Sequence, residues 1–183
     1  EKIWYPEVYA KNIGSNLDSN FGTKFKNISI TLNLLIESKI KIKKISCFYS
    51  TPSYPNNNLP QFVNIGAVIE TKLGCSVLLK KFKSIEEKLG RKKTKKNDPR
   101  VCDIDIIDYD GSVKKNKLLE LPHPRCHLRN FVLYPIREMD PLWKHPILMK
   151  NIDFLINDLN YKSRLEITRL RKSVIIKPWL ITM

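Results

Sequence analysis

Apolar positions along the chain alternate between a period of two and a period of three to four. Val8 to Ile13 reads as a short strand running into the turn Gly14-Ser15-Asn16. Phe21, Phe25, Ile28, Leu32 and Leu35 recur at spacings of 4, 3, 4 and 3, one face of a helix from about Ser19 to Ser38. Ile40, Ile42, Ile45, Cys47 and Tyr49 alternate as a strand with a slip in the middle, the sign of a bulge or an irregular start. From Phe62 to Thr71 the period is two. Val63, Ile65, Ala67 and Ile69 take the core face, which turns Phe62 and Asn64 to the opposite one. Leu78, Phe82, Ile85 and Leu89 mark a second helix, with Ser76 as its cap and Gly90 as its stop. Val101 to Asp108 is the next strand, with Cys102, Ile104 and Ile106 on one face and Asp103, Asp105 and Ile107 on the other. Then come a short apolar piece, Leu118 to Leu121, and a helix from about His127 to Tyr134 that Pro135 should end. A last amphipathic turn uses Ile152, Leu155, Ile156 and Leu159.

The order strand, helix, strand, strand, helix, strand predicts an α+β fold. It is the split βαβ order of a ferredoxin-like βαββαβ sandwich: a mainly antiparallel sheet, helices on one face, and long loops. Residues 1–161 are read as this domain. Residues 162–183, with six basic side chains and one acidic, are read as a basic C-terminal extension in which Val174-Ile175-Ile176 is a candidate added strand.

Composition narrows the classes. With 183 residues, 42% apolar and 28% charged, the chain can bury a core of its own and is not of the disordered type. It has no apolar run long enough to span a bilayer, and Glu1 to Tyr9 has no secretory pattern. Cys47, Cys75, Cys102 and Cys126 are scattered, which opposes a zinc ribbon or a disulfide framework; a reducing cytoplasm is the expected setting. The net charge of +15 suggests a polyanionic partner, although a chain rich in Lys, Ile and Asn would be basic from codon usage alone.

Three segments carry candidate chemistry. Asp103 and Asp105 share one strand face roughly 6.6 Å apart, a spacing that two carboxylates tolerate best with a hard cation between them. Two solvated carboxylates are the plainer reading, against which stands the low strand preference of Asp. Asp108 and Asp110 read as turn residues. The loop Arg91 to Arg100, six of its ten residues basic, runs directly into the Asp pair. Cations beside metal-holding carboxylates suit a polyphosphate and phosphoryl transfer. The chain has no phosphate-binding G-x-x-x-x-G-K-[ST] and no G-x-G-x-x-G. In Leu121 to Phe131, His123, Cys126 and His127 could be imagined as zinc ligands. The prolines around His123 oppose that, and phosphate contacts from His123 and Arg129 fit better.

An ordered set of motifs carries a resemblance. It comprises Gly14-Ser-Asn-Leu17, Phe48-Tyr-Ser-Thr-Pro52, Gln61-Phe-Val-Asn64, Ile85-Glu86, Gly90-Arg91, Pro99-Arg100-x-x-Asp103-x-Asp105-Ile106, Pro122-His-Pro124 and Arg129-x-Phe131-Val-Leu-x-Pro135. Over roughly residues 8–160 the chain resembles the 6-hydroxymethyl-7,8-dihydropterin pyrophosphokinases of folate biosynthesis. The resemblance implies transfer of the terminal pyrophosphoryl group of ATP to the pterin's hydroxymethyl oxygen with release of AMP. It also implies a pair of Mg²⁺ ions held by Asp103 and Asp105. By the same resemblance Thr51, Pro52, Phe62, Asn64 and Phe131 would meet the pterin, and Glu86, Arg100, His123 and Arg129 would meet ATP. Ile106 and Leu119 would lie near the adenine, and Arg91, Lys93, Lys96 and Arg100 would be the catalytic cations. Expected partners are ATP and the pterin, with neither nucleic acid nor membrane, and a monomer is favoured. The rival readings are a ferredoxin-like nucleic-acid-binding module and an inactive homologue. The chain departs from the family in having Lys93 and Lys96 in place of Arg, Asn97 in place of Trp, and Lys11-Asn12 inside the first strand.

Overall fold

A computed structural model describes residues 6–53, 58–90 and 100–172. Strand β1 (Glu7–Ser15) leads to helix α1 (Lys24–Glu37), whose cap is Thr23, its hydroxyl accepting from the Lys26 N–H. The helix starts later than the apolar period suggests. Gly22, at φ +126°, holds a turn there, and Phe21 is left half-exposed before it. Strands β2 (Lys41–Ile45) and β3 (Tyr49–Thr51) are the expected second strand in two pieces, both antiparallel to β4 (Phe62–Glu70). Between them Ser46 donates its N–H to the Gly66 carbonyl, while its hydroxyl accepts from the Gly66 N–H. A side chain thus replaces one rung of the ladder and bends the strand. Helix α2 (Cys75–Lys88) follows, with Gly74 rather than Ser76 at its cap and Gly90, at φ +87°, past its end.

Strand β5 (Asp103–Tyr109) completes a sheet that runs β5-β1-β4-β3-β8, all neighbours antiparallel, with β8 at Thr168–Arg169 and β2 also on β4. β6 (Lys114–Lys115) and β7 (Glu120–Leu121) form a small separate hairpin. Lys11-Asn12, the polar interruption of the first strand, falls where the register of β1 slips against both neighbours. A bulge absorbs it.

Helices cover both faces of the sheet, not one as expected. On the first face α1 and α2 bury Ile28, Leu32, Leu78 and Phe82 against Val63, Ile65, Ala67 and Ile104. On the second face α3 (Asn130–Met139) and α4 (Ile152–Asp158) bury Leu133, Ile136, Leu155 and Ile156 with Ile107 of β5. The reason lies in β4, buried on both sides from Val63 to Ile69. A Cβ on its Gly66 would lie 2.5 Å from Met139 Cε and 2.8 Å from Pro135 Cβ, so α3 approaches only because that position is bare.

Pro135 does not end α3; the helix runs through it to Met139. Proline removes a single bond, the one to the Phe131 carbonyl in the first turn, and its ring is used in packing against Gly66. Asp108 is likewise not a turn residue. It is buried and accepts from Trp143 Nε1 (2.9 Å) and the Gly111 N–H (2.8 Å), and burial raises its carboxyl pKa. Asp110, at φ +51°, is the turn residue beside it.

Candidate active site

The second sheet face carries a row of aligned positions. Tyr49 of β3 pairs with Asn64 of β4, Asn64 with Gly14 of β1, and Gly14 with Asp103 of β5. Directly paired residues share a face, so Asn64 and Asp103 look out on the same side across a residue that has no side chain. Two strand spacings put them about 10 Å apart. Asp105 lies two residues along β5 from Asp103, and Phe62 two residues along β4 from Asn64. Thr51, buried at the end of β3, pairs with Phe62, and Pro52 follows it half-buried.

Asn64 is 1% exposed, yet neither its Nδ2 nor its Oδ1 has a hydrogen-bond partner. An unsatisfied buried amide costs stability, about 1–3 kcal/mol. Such a group suits a ligand that brings one donor and one acceptor. At the other end of the row the Asp pair is half-buried, and Arg100 Nη1 sits 3.0 Å from Asp103 Oδ2. The first turn of α3 adds Arg129 and Phe131, the guanidinium carbon 5.6 Å from the ring centroid. Burial pushes the Arg129 pKa down and Arg125 beside it adds to that, while Asp105 and Asp103 pull it back up. His123 is held against β5, its backbone N–H donated to the Ile107 carbonyl at 2.8 Å and its Nδ1 accepting from the Arg125 N–H at 3.2 Å. Two carboxylates with oxygen donors on one half-exposed face fit a hard divalent cation.

Ile106 is in the first core, on the opposite sheet face from the Asp pair, and Leu119 packs against that same core. Glu86, 3% exposed on α2, accepts from the Ile104 N–H at 2.7 Å, which steadies the strand carrying the carboxylates from behind. Arg91, Lys93, Lys96 and Asn97 lie outside the described residues.

The sequence reading assigned no role to Asn16. It is 2% exposed and exchanges bonds with Arg100, whose N–H it receives on Oδ1 at 2.8 Å and whose carbonyl takes its own N–H at 3.2 Å. Its Nδ2 reaches the Pro60 carbonyl at 3.4 Å, so it joins the basic loop's end to the loop after Thr51. A polar residue just past a strand end, in Gly14-Ser-Asn, was the available signal.

Cys126 and His127 meet a third candidate ligand, His145 rather than the expected His123, with candidate atoms within 4.8 Å of one another. However, His145 Nδ1 already accepts from the Ile147 and Leu148 N–H groups, both at 3.2 Å. The ring proton is then on Nε2, and the ring presents a donor where a metal needs a lone pair.

The sequence profile described as 7,8-dihydro-6-hydroxymethylpterin-pyrophosphokinase (HPPK) matches residues 12–141. The chain belongs to this family. It is 37% identical over 134 residues to the 2-amino-4-hydroxy-6-hydroxymethyldihydropteridine pyrophosphokinase of Aquifex aeolicus, a match covering 73% of the chain and 83% of that protein. It is 40% identical over 143 residues to the "Folic acid synthesis protein FOL1" of Dictyostelium discoideum, covering 75% of the chain but 22% of that longer protein. The crystal structure of wild-type Plasmodium falciparum HPPK-DHPS with pteroate superposes with a TM-score of 0.66 at 17% identity, covering 90% of the chain and 48% of its own. In this HPPK-family chain the unsatisfied Asn64 and the Asp103-Asp105 pair stand at the two ends of one cross-strand row.

Proposed function

We propose that this HPPK-family chain transfers the pyrophosphoryl group of ATP to the hydroxymethyl oxygen of 6-hydroxymethyl-7,8-dihydropterin, giving the pterin diphosphate and AMP, in folate biosynthesis. The observation that carries the reading is Asn64, a buried amide with both polar atoms unpaired, aligned across the sheet with Asp103. A pterin offers an amide-like edge for Asn64 and flat faces for aromatic side chains. Phe62 and Phe131 supply those aromatic faces, and Thr51 and Pro52 close the edge. The hydroxymethyl arm then points along the row toward Asp103. Arg100 and Arg129 stand beside the Asp pair, where the phosphates of ATP would lie, and His123, held against β5, is read as a further phosphate contact. Arg91, Lys93 and Lys96 join them as cations, and Ile106 and Leu119 contribute on the adenine side through the strand and hairpin that carry them.

Asp103 and Asp105 would hold the Mg²⁺, which we take to be two ions. When bound, the metal neutralises charge on the phosphate oxygens. The chain's own residues do the rest by position: they hold the acceptor oxygen and the phosphate in line and exclude water from between them. The strand order is read as the ferredoxin-like βαββαβ arrangement, β2 and β3 counting as one broken strand, within a catalytic domain of residues 1–161. Residues 162–183 are the basic extension. We take the protein to act as a monomer in the cytoplasm; its four free cysteines fit a reducing compartment. Among the described residues no helix is long and apolar enough to cross a membrane. A nucleic-acid module is not favoured, since this face presents two carboxylates where RNA phosphates would have to lie.

Incubation with ATP, Mg²⁺ and the pterin tests the reading. Pterin-dependent accumulation of AMP is expected; pterin-dependent ADP without AMP would overturn it.

A further inference from the structure

Residues 161–172 run from one wall of the proposed pterin site to the other. Helix α5 (Tyr161–Leu165) is capped by Asn160, and the carbonyl of its Ser163 accepts from Asn130 Nδ2 at 2.7 Å. Asn130 is 8% exposed, the first residue of α3, and sits between Arg129 and Phe131. The segment then reaches the sheet edge, where β8 pairs Arg169 with Tyr49 and Thr168 with Ser50, one residue before Thr51. The Leu170 N–H continues the contact onto the Phe48 carbonyl at 2.8 Å.

A carboxylate from α3 closes the loop of contacts. Glu138 Oε1 accepts from Arg169 Nη2 and from the Cys47 N–H, both at 3.1 Å, and Oε2 accepts from the Tyr49 hydroxyl at 2.7 Å. Burial opposes ionisation of Glu138, but the bonds from Tyr49, Arg169 and Cys47 outweigh it and lower its pKa. Tyr49 is 5% exposed and is the direct neighbour of Asn64 on the site face. Beside this network lies a cleft of about 430 Å³ lined by Tyr49, Tyr134, Arg137, Glu138, Ile167 and Arg169. β3 and the end of α3 are therefore tied together by this side-chain network beside an open cleft, in addition to the Tyr49–Tyr134 ring contact with centroids 6.5 Å apart.

We propose that residues 161–172 are a positioning strap for the pterin pocket, with Arg169 acting through Glu138 on Tyr49, and Ser163 acting through Asn130 on the turn that carries Arg129 and Phe131. The strap fixes the separation between α3 and β3 and so the width available to a flat ring above Asn64. Its target is the pterin end of the row, because none of its bonds reaches the Asp pair directly. The inference rests on the pterin pyrophosphokinase reading.

The test is steady-state kinetics on the whole chain with Arg169→Ala, Asn130→Ala and Arg169→Lys, varying the pterin and ATP separately. Arg169→Ala should raise KM for the pterin about tenfold, the loss of one or two hydrogen bonds of alignment, with kcat and KM for ATP within about twofold of the parent; Asn130→Ala should raise KM for the pterin about as much and, because the same turn carries Arg129, raise KM for ATP as well. Arg169→Lys keeps a cation on Glu138 and should recover most of the pterin affinity. Pterin KM unchanged in both alanine variants would overturn the strap. So would a fall in kcat alone with both KM values intact, the signature of a smaller folded fraction. If Arg169→Ala lowers the amount of folded protein, pterin affinity measured by fluorescence titration on the folded fraction must still fall about tenfold. A parent protein that forms no AMP would remove the reading beneath the proposal and the proposal with it, whereas an active parent with unshifted variants removes the strap alone.

Discussion

In the proposed pterin site, Asn64 would set stability against binding. Its amide is buried without partners, so Asn64→Leu removes an unsatisfied polar group at nearly constant volume. Stability in urea should stay level or rise by up to about 2 kcal/mol, while pterin affinity falls about a hundredfold. An equal loss of both would mean that the amide is structural. Asp103→Asn and Asp105→Asn keep shape and remove charge from the proposed Mg²⁺ site; each should lower kcat at least about a hundredfold, roughly 2.7 kcal/mol of barrier. Turnover near the parent's in both would sink the metal role. Strand alternation made the facing of these residues legible beforehand, since it assigns Asn64, Asp103 and Asp105 to the non-core side without any knowledge of the sheet. The same alternation put Ile106 on the core side, and there the structure has it. Asn16 was not legible, because its partners Arg100 and Pro60 are more than forty positions away and no local pattern encodes such a contact.

At the scale of elements, the helices and strands were readable where one face was apolar and the other polar. Reading failed where both faces are apolar. β4 looks like a one-sided strand only if Gly66 and Val68 are taken as incidental, and the second helical layer that covers them was missed. Gly66→Ala should therefore destabilise by about 1–3 kcal/mol by overpacking against Pro135 and Met139, checked by urea unfolding. The turn after α3 makes a pH prediction. His145 is 4% exposed and caps residues 147 and 148 through Nδ1; burial lowers its pKa from 6.5, and His127 beside it adds to the effect. The unfolded chain then binds the proton more readily than the folded one. The stability this group contributes is complete above about pH 6.5 and is lost as pH falls toward the lower folded value. His145→Asn keeps a cap acceptor but does not titrate, so its unfolding midpoint should fall less than the parent's between pH 7 and pH 5. Parallel curves would contradict this.

For the molecule as a whole, the net charge of +15 is unevenly placed among the described residues. Arg100 and Arg129 converge on the Asp pair, while Lys41, Lys43, Lys115 and Lys162 are spread over the surface in ordinary ion pairs. Where ATP is cut distinguishes pyrophosphoryl from phosphoryl transfer. In the proposed reaction the row from Asn64 to Asp103 would present a hydroxymethyl oxygen to the middle phosphorus of ATP, so that the β and γ phosphoryl groups leave AMP together. The most direct measurement follows label from ATP carrying phosphorus-32 at the β or at the γ position, with Mg²⁺ and 6-hydroxymethyl-7,8-dihydropterin. Both labels should appear in the pterin product in equal yield, with unlabelled AMP remaining. Transfer of the γ label alone, with the β label left in ADP, would contradict the account.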